Sequence, residues 1–229
     1  MTNSEVLEKL KDEGYCIIKD VFTDSEIQDM KNEMSKIYNT MPDGGEYTFG
    51  HRIEEGVYPY GKHVRFSHFS QIPTTANIFM QKNTGDITRG YLGAGCKENM
   101  QIFASHEYKT EEQAGGKPRN AFWHFDPYYA LKYFIYLQDT NIENGCTRLI
   151  PNTKHLTEKI RSEKTFEDIC GDGYNVEKLV NEMNLSDNIV NVDVKSNDLM
   201  IFDTDLFHIG SNITKEGLER MVIIIHNRP

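Results

Sequence analysis

His124 and Asp126 stand two positions apart in the segment Trp123-His-Phe-Asp126. Alternate side chains of a strand point to one face, so this pair can reach a single metal ion together. With eight histidines in the chain, such a pair also arises easily by chance. A histidine satisfied by the nearby carboxylate accounts for it equally well. His208 changes the balance, because it closes a second strand-like segment, Leu199-Met-Ile-Phe-Asp-Thr-Asp-Leu-Phe-His208, that a barrel could bring alongside the first. Two imidazoles and one carboxylate leave several metal positions open, which suits iron(II) and its oxygen chemistry. A closed zinc site more often carries thiolates or a further histidine.

Arg220 follows, ahead of the apolar run Met221-Val-Ile-Ile-Ile225. A guanidinium directed into a barrel is costly unless it meets an anion. A dicarboxylic co-substrate such as 2-oxoglutarate would supply one, its keto-acid end on the iron and its far carboxylate in a bidentate pair with Arg220. A surface arginine at the start of a strand is the competing explanation.

The elements that must position these residues follow from pattern. A short helix closed by Gly14 precedes a strand at Tyr15-Cys-Ile-Ile18, and Thr23-Asp-Ser-Glu26 caps a second helix with Ile27, Met30 and Met34 on one face. Residues 41–75 read as irregular, rich in glycine, proline and tyrosine. From residue 100 onward the chain turns β-rich, with strands expected at 100–105, 121–125, 131–137, 147–150, 189–194, 199–202 and 221–225. A charged, helix-like excursion occupies 156–185. The layout predicts a single domain over 1–229: a helical N-terminal layer at 1–40, an irregular loop region at 41–99 and a β-barrel core at 100–229.

The net charge of -10 argues against nucleic acid or an anionic membrane as partner, yet leaves room for a small anionic ligand met by local Arg and Lys. Hydrophobic residues at 38% and charged residues at 26% are ordinary for a globular chain. Cys16, Cys96, Cys146 and Cys170 form no C-x-x-C pair, and the acidic, amphipathic N-terminus resembles neither a signal nor a transit peptide. Reduced thiols and a cytoplasmic location are therefore expected. No apolar run approaches a membrane span in length.

The chain resembles the phytanoyl-CoA dioxygenase (PhyH) family of iron(II)/2-oxoglutarate oxygenases. The resemblance rests on Leu10-Lys-Asp-Glu-Gly-Tyr-Cys-Ile-Ile18 with Phe22-Thr-Asp-Ser-Glu26, then His124-Phe-Asp126, Glu143-Asn-Gly-Cys-Thr-Arg-Leu-Ile-Pro151, Asn197-Asp-Leu-Met-Ile-Phe202, His208, and Asn212-Ile-Thr214 before Arg220. It implies a mainly β, double-stranded β-helix (jelly-roll, cupin-like) fold with N-terminal helices packed on one face. It also implies iron held by His124, Asp126 and His208, with 2-oxoglutarate and O2 as co-substrates and Arg220 on the distal carboxylate. Thr147 and Gln101 match places that line the co-substrate pocket, and Phe134 falls on the strand facing it. Three departures stand out: Pro151-Asn-Thr-Lys-His155 has no glycine, Asn197-Asp198 replaces a Gly-Asp pair, and the turn before Arg220 is longer. Asp126 is retained where iron halogenases carry a small residue, so hydroxylation is favoured.

Among the remaining residues, Arg65, Tyr60 and Tyr128 are candidates to face a small, polar or anionic substrate. His106, His155 and His226 read as surface or loop residues. The same site could instead support desaturation, cyclisation or epimerisation. A non-oxygenase metal-dependent barrel enzyme, or a binding protein that has lost catalysis, are the other readings.

Overall fold

A computed structural model describes the chain except residues 50, 56–60, 95, 97–100 and 109–121, with the backbone alone at 51–55 and 172–173. In chain order the main elements are α1 (Asn3–Asp12), β1 (Tyr15–Ile18), α2 (Asp24–Tyr38), β2 (Gly45–Thr48), β3 (His51–Glu55), β4 (Gly61–Phe66), α3 (Pro73–Met80) and α4 (Thr84–Leu92). There follow β5 (Gln101–Tyr108), β6 (Leu131–Tyr136), β7 (Thr147–Ile150), α5 (Lys154–Glu163), β8 (Val190–Asn191), β9 (Leu199–Asp203), β10 (Phe207–Gly210) and β11 (Glu219–Asn227).

The opening helices form as their caps dictate. Thr2 with Glu5, and Thr23 with Glu26, close reciprocal capping boxes on α1 and α2. Gly14, at φ +81°, turns the chain out of α1 into β1. Val6 and Leu10 of α1 and Ile27, Met30 and Met34 of α2 are buried, so both helices lay one apolar stripe on the sheet.

The sheet beneath them has eight strands in the order β1-β9-β6-β11-β5-β4-β2-β3. A second sheet, β10-β7-β8, faces it. A bridge from His124 to His208 lays the Trp123–Phe125 stretch beside β10, with His124 N donating to His208 O at 3.0 Å and His208 N to His124 O at 2.8 Å. This is the double-stranded β-helix with helices packed on one face. Strand β6 is buried on both faces, which is why it reads as a continuous apolar run interrupted by one lysine. Tyr133 and Ile135 pack with the helices. Phe134 and Tyr136 join Met200, Phe202 and Val222 on the interior face. Strand β11 divides in the same way, Ile223 and Ile225 outward to the helices and Arg220 and Val222 inward.

Several expectations change. The segment 41–99 is not irregular: β2, β3 and β4 extend the large sheet and α3 and α4 follow them. Its pattern was masked because only one face of β4 is apolar: Val64 and Phe66 are buried while Arg65 is exposed. The strand expected at 121–125 reduces, among the described residues, to two isolated bridges at His124, one to Asn175 and one to His208. The excursion at 156–185 contains most of α5 and a short helix at Glu177–Glu182. His106 and His226 lie within β5 and β11 and not in loops, the ring of His226 standing 4.8 Å from that of Phe103.

Candidate metal centre

His124, Asp126 and His208 converge. One ligand atom from each lies within 4.8 Å of the others, and the two imidazole centroids are 4.3 Å apart. Each ring is oriented from behind in the same way. His124 Nδ1 sits 2.8 Å from the carbonyl of Phe122, and His208 Nδ1 sits 2.8 Å from that of Leu206. A proton on Nδ1 satisfies that carbonyl and leaves the Nε2 lone pair facing the cavity, the tautomer a metal requires. His208 Nε2 is buried and, among the described residues, has no hydrogen-bond partner, and it stands 3.3 Å from Asp126 Oδ1. Burial, and then the neighbouring His208, push the His124 imidazole down to about 3, so it is neutral and ready to donate. Burial opposes charge on Asp126, but Lys132 and His208 outweigh it and hold the carboxyl well below its usual range. An unpartnered imidazole nitrogen, a neutral second imidazole and an ionised carboxylate fit a divalent cation of borderline softness.

The loop carrying Asp126 is held from α5. Arg161 donates from Nη2 to the Asp126 carbonyl at 2.8 Å and from Nη1 to the Pro127 carbonyl at 2.9 Å. It also pairs with Asp205 at 2.7 Å, three residues before His208, so one guanidinium ties both metal-binding segments together. The departure at Pro151-Asn-Thr-Lys has its own logic. Asn152 adopts the left-handed conformation at φ +62°, which asparagine tolerates where glycine is absent. Thr153 accepts from the Phe207 amide at 2.8 Å, fixing the entry to β10.

A cavity opens beside the three residues. Phe134, Tyr136, Thr147 and Arg220 line it with His63, Ser105, Glu107 and Lys132. Thr147 and Tyr136 share a hydroxyl hydrogen bond of 2.8 Å. Arg220 is buried in the wall and both its Nη groups are engaged by the protein: Nη2 reaches Glu107 Oε2 at 2.5 Å, and Nη1 reaches the carbonyls of Gly145 and Ser211. The anion that Arg220 meets here is Glu107. Among the described residues, Arg220 Nε and the hydroxyl of Ser211 are buried without hydrogen-bond partners. Gly145 explains its own place in Glu143-Asn-Gly-Cys-Thr147. It has φ +83°, and a Cβ there would stand 2.7 Å from Ser211 O and 3.0 Å from Arg220 Nη1. Asn144 braces that turn, accepting from Asn141 N and donating to Asp139 O, both at 2.7 Å.

Other predicted residues fall elsewhere. Gln101 is exposed at the start of β5, where it accepts from Arg228 at 2.9 Å. Ser105 and Glu107, further along the same face, reach the cavity instead. Arg65 is exposed and pairs with Glu46, outside the cavity lining. Tyr128 is exposed at 46%, with Arg228 4.1 Å over its ring and Phe166 5.1 Å from it. Tyr60 lies outside the described residues. Lys132, Glu107, Ser211 and Arg161 were missed. The signal available for Lys132 was a lone charge inside an otherwise apolar strand, Leu131-Lys-Tyr-Phe-Ile-Tyr136.

Comparison with known proteins places this geometry. No curated protein sequence matches the chain significantly. Solved structures match over its full length at low identity. The non-haem α-ketoglutarate-dependent carbocyclase SnoK from nogalamycin biosynthesis has a TM-score of 0.67 at 14% identity, covering 100% of this chain and 86% of that one. HygX from Streptomyces hygroscopicus, solved with nickel and 2-oxoglutarate, gives 0.63 at 14% identity over 100% and 87%. EctD from S. alaskensis, in its apo form, gives 0.67 at 16% identity over 100% and 77%. At these identities the likeness is one of fold. The family model for phytanoyl-CoA dioxygenase (PhyH) matches residues 10–222, nearly the whole chain, and the protein belongs to that family.

Proposed function

We propose that His124, Asp126 and His208 hold iron(II), and that the protein couples oxidative decarboxylation of 2-oxoglutarate to hydroxylation of an unactivated C–H bond in a small molecule. The observation that carries this reading is the convergence of three ligand atoms within 4.8 Å, both imidazoles turned by backbone carbonyls so that Nε2 faces the cavity. When bound, the metal and co-substrate supply the oxidising chemistry with O2, releasing succinate and carbon dioxide. The chain's own residues bind, orient and exclude water. Phe134, Val222 and Ile224 give the cavity an apolar wall. Thr147 and Tyr136 offer hydroxyls toward the Arg220 end. Arg220 receives the distal carboxylate of 2-oxoglutarate by exchanging it for Glu107.

Retention of Asp126 as a third ligand supports hydroxylation. The neighbours include a carbocyclase and, in SnoN, an α-ketoglutarate-dependent epimerase, so cyclisation or epimerisation at the same centre is the second reading. The substrate is a small, polar or anionic molecule. The exposed Tyr128, two residues beyond Asp126, with the half-buried Arg228 stacked over its ring, supports that class. A cytoplasmic setting agrees with four cysteines that form no disulfide. No helix is long and apolar enough to cross a membrane among the described residues.

The test is anaerobic addition of iron(II) and 2-oxoglutarate to the purified protein. A visible metal-to-ligand charge-transfer band is expected. Bound iron without that band would remove the co-substrate from the proposal. Substrate-stimulated succinate release across a metabolite panel then separates hydroxylation from its alternatives by the product formed.

A further inference from the structure

Lys132 is the one residue of β6 that charge alone would exclude from a strand buried on both faces. It is 8% exposed, faces the cavity, and stands on the interior side between its strand neighbours Phe202 and His226. Its ammonium lies 2.7 Å from Asp126 Oδ2 and 5.6 Å over the Phe202 ring. Among the described residues it has no other hydrogen-bond or ion-pair partner. A lysine so placed has a desolvation cost that only a fixed carboxylate offsets. The two oxygens of Asp126 are thereby made unequal. Oδ2 belongs to Lys132, while Oδ1 is the atom near His208 Nε2.

We infer that Lys132 is a positioning residue of the metal centre: by holding Oδ2 it presents Asp126 to the metal through Oδ1 alone, and so keeps a coordination position free for the co-substrate. A carboxylate released from Lys132 is able to turn and close on the metal with both oxygens, taking a position that the keto acid needs. The inference rests on the proposed iron and 2-oxoglutarate reading. It goes beyond that reading by assigning a role to a residue that is neither metal ligand nor co-substrate ligand.

The experiment compares the full-length protein with Lys132→Met, which keeps length and loses charge, and Lys132→Arg, which keeps a donor. Three quantities are read without turnover. Iron(II) affinity is followed by quenching of Trp123, the single tryptophan, which adjoins His124. Affinity for 2-oxoglutarate is followed anaerobically by the charge-transfer band. The electron paramagnetic resonance spectrum of nitric oxide on the iron, a neutral probe, reports ligand symmetry at the metal. In Lys132→Met, 2-oxoglutarate should bind about tenfold more weakly and the nitrosyl spectrum should change its rhombicity, while iron affinity stays within about threefold or tightens. Lys132→Arg should restore both signatures. An unchanged nitrosyl spectrum with unchanged 2-oxoglutarate affinity overturns the inference. So does parallel loss of iron and 2-oxoglutarate binding in both variants, which would make Lys132 a support of the fold. If the wild-type protein binds iron but shows no band, the co-substrate reading fails instead, and the nitrosyl comparison still decides whether Lys132 orients Asp126.

Discussion

The two ends of the cavity are built from the same kinds of groups and are satisfied in opposite ways. At one end Asp126 pairs with Lys132, yet the lone pairs of the imidazoles and the nearer oxygen of the carboxylate converge, and among the described residues His208 Nε2 has no hydrogen-bond partner. At the other, Glu107 pairs with Arg220, and the guanidinium also serves the carbonyls of Gly145 and Ser211. The first end keeps converging ligand atoms with, among the described residues, no metal-sized partner between them beyond the Lys132 ammonium on Asp126 Oδ2. The second already has its anion. A metal can therefore enter a preformed site, whereas a dicarboxylate must displace a residue of the protein to reach Arg220. Buried ion pairs of this kind contribute little net stability when intact, but leave a costly orphan when one member is removed.

The largest test of this contrast is at the metal end. Asp126→Ala should abolish metal-dependent succinate production and weaken metal binding by more than about a hundredfold, measured by equilibrium dialysis with iron(II) under argon. Unchanged turnover would rule out the three-residue centre. Arg220→Gln comes next. It should raise the dissociation constant for 2-oxoglutarate by roughly ten- to a hundredfold, the range of a lost charge-assisted pair, with iron affinity unaffected. If the constant does not move, another cation receives the carboxylate.

A smaller effect of opposite sign sharpens the comparison. Glu107→Gln removes the competing anion while keeping a side chain of similar size, so 2-oxoglutarate should bind about three- to tenfold more tightly. Weaker binding would mean that Glu107 orients Arg220 for the ligand and does not compete with it. The last test concerns pH. Burial, ahead of the charges around it, holds His124 at about 3, and burial followed by Lys132 holds His226 well below its ordinary value. Both bind protons more readily unfolded than folded, so stability is complete above the unfolded value near 6.5 and declines as pH falls from there toward about 3. Denaturant titration of the metal-free protein should give a lower midpoint at pH 5 than at pH 7, with a slope of up to about 1.4 kcal/mol per pH unit for each such histidine. A midpoint that rises on acidification would contradict neutral, buried imidazoles.

Much of the site was legible before folding. His124-Phe-Asp126, ambiguous by spacing alone, became a candidate metal pair once His208 closed a second apolar segment, and the capped α2 was marked by Thr23 and Glu26. The region 41–75 was not, since strands with one polar face and many glycines carry a faint pattern, and it holds three strands of the large sheet. Gln101 was placed by its position in a motif. The strand carries it on the cavity side but at the exposed end, where Arg228 takes it. His226 looked like a loop residue because nothing local shows that a strand continues past Ile225.

By itself, the sequence determined the three candidate metal ligands and the apolar faces that make the barrel and its helical cover. Each of these follows from residue type and local period. The tertiary structure alone decided that Lys132 holds Asp126, that Glu107 holds Arg220, and that Arg161 ties the Asp126 loop to the segment before His208. Those pairs join residues on different elements. Which charges meet depends on strand register and on how a helix lies across a turn, and a shift of one residue in register would send every partner to the opposite face.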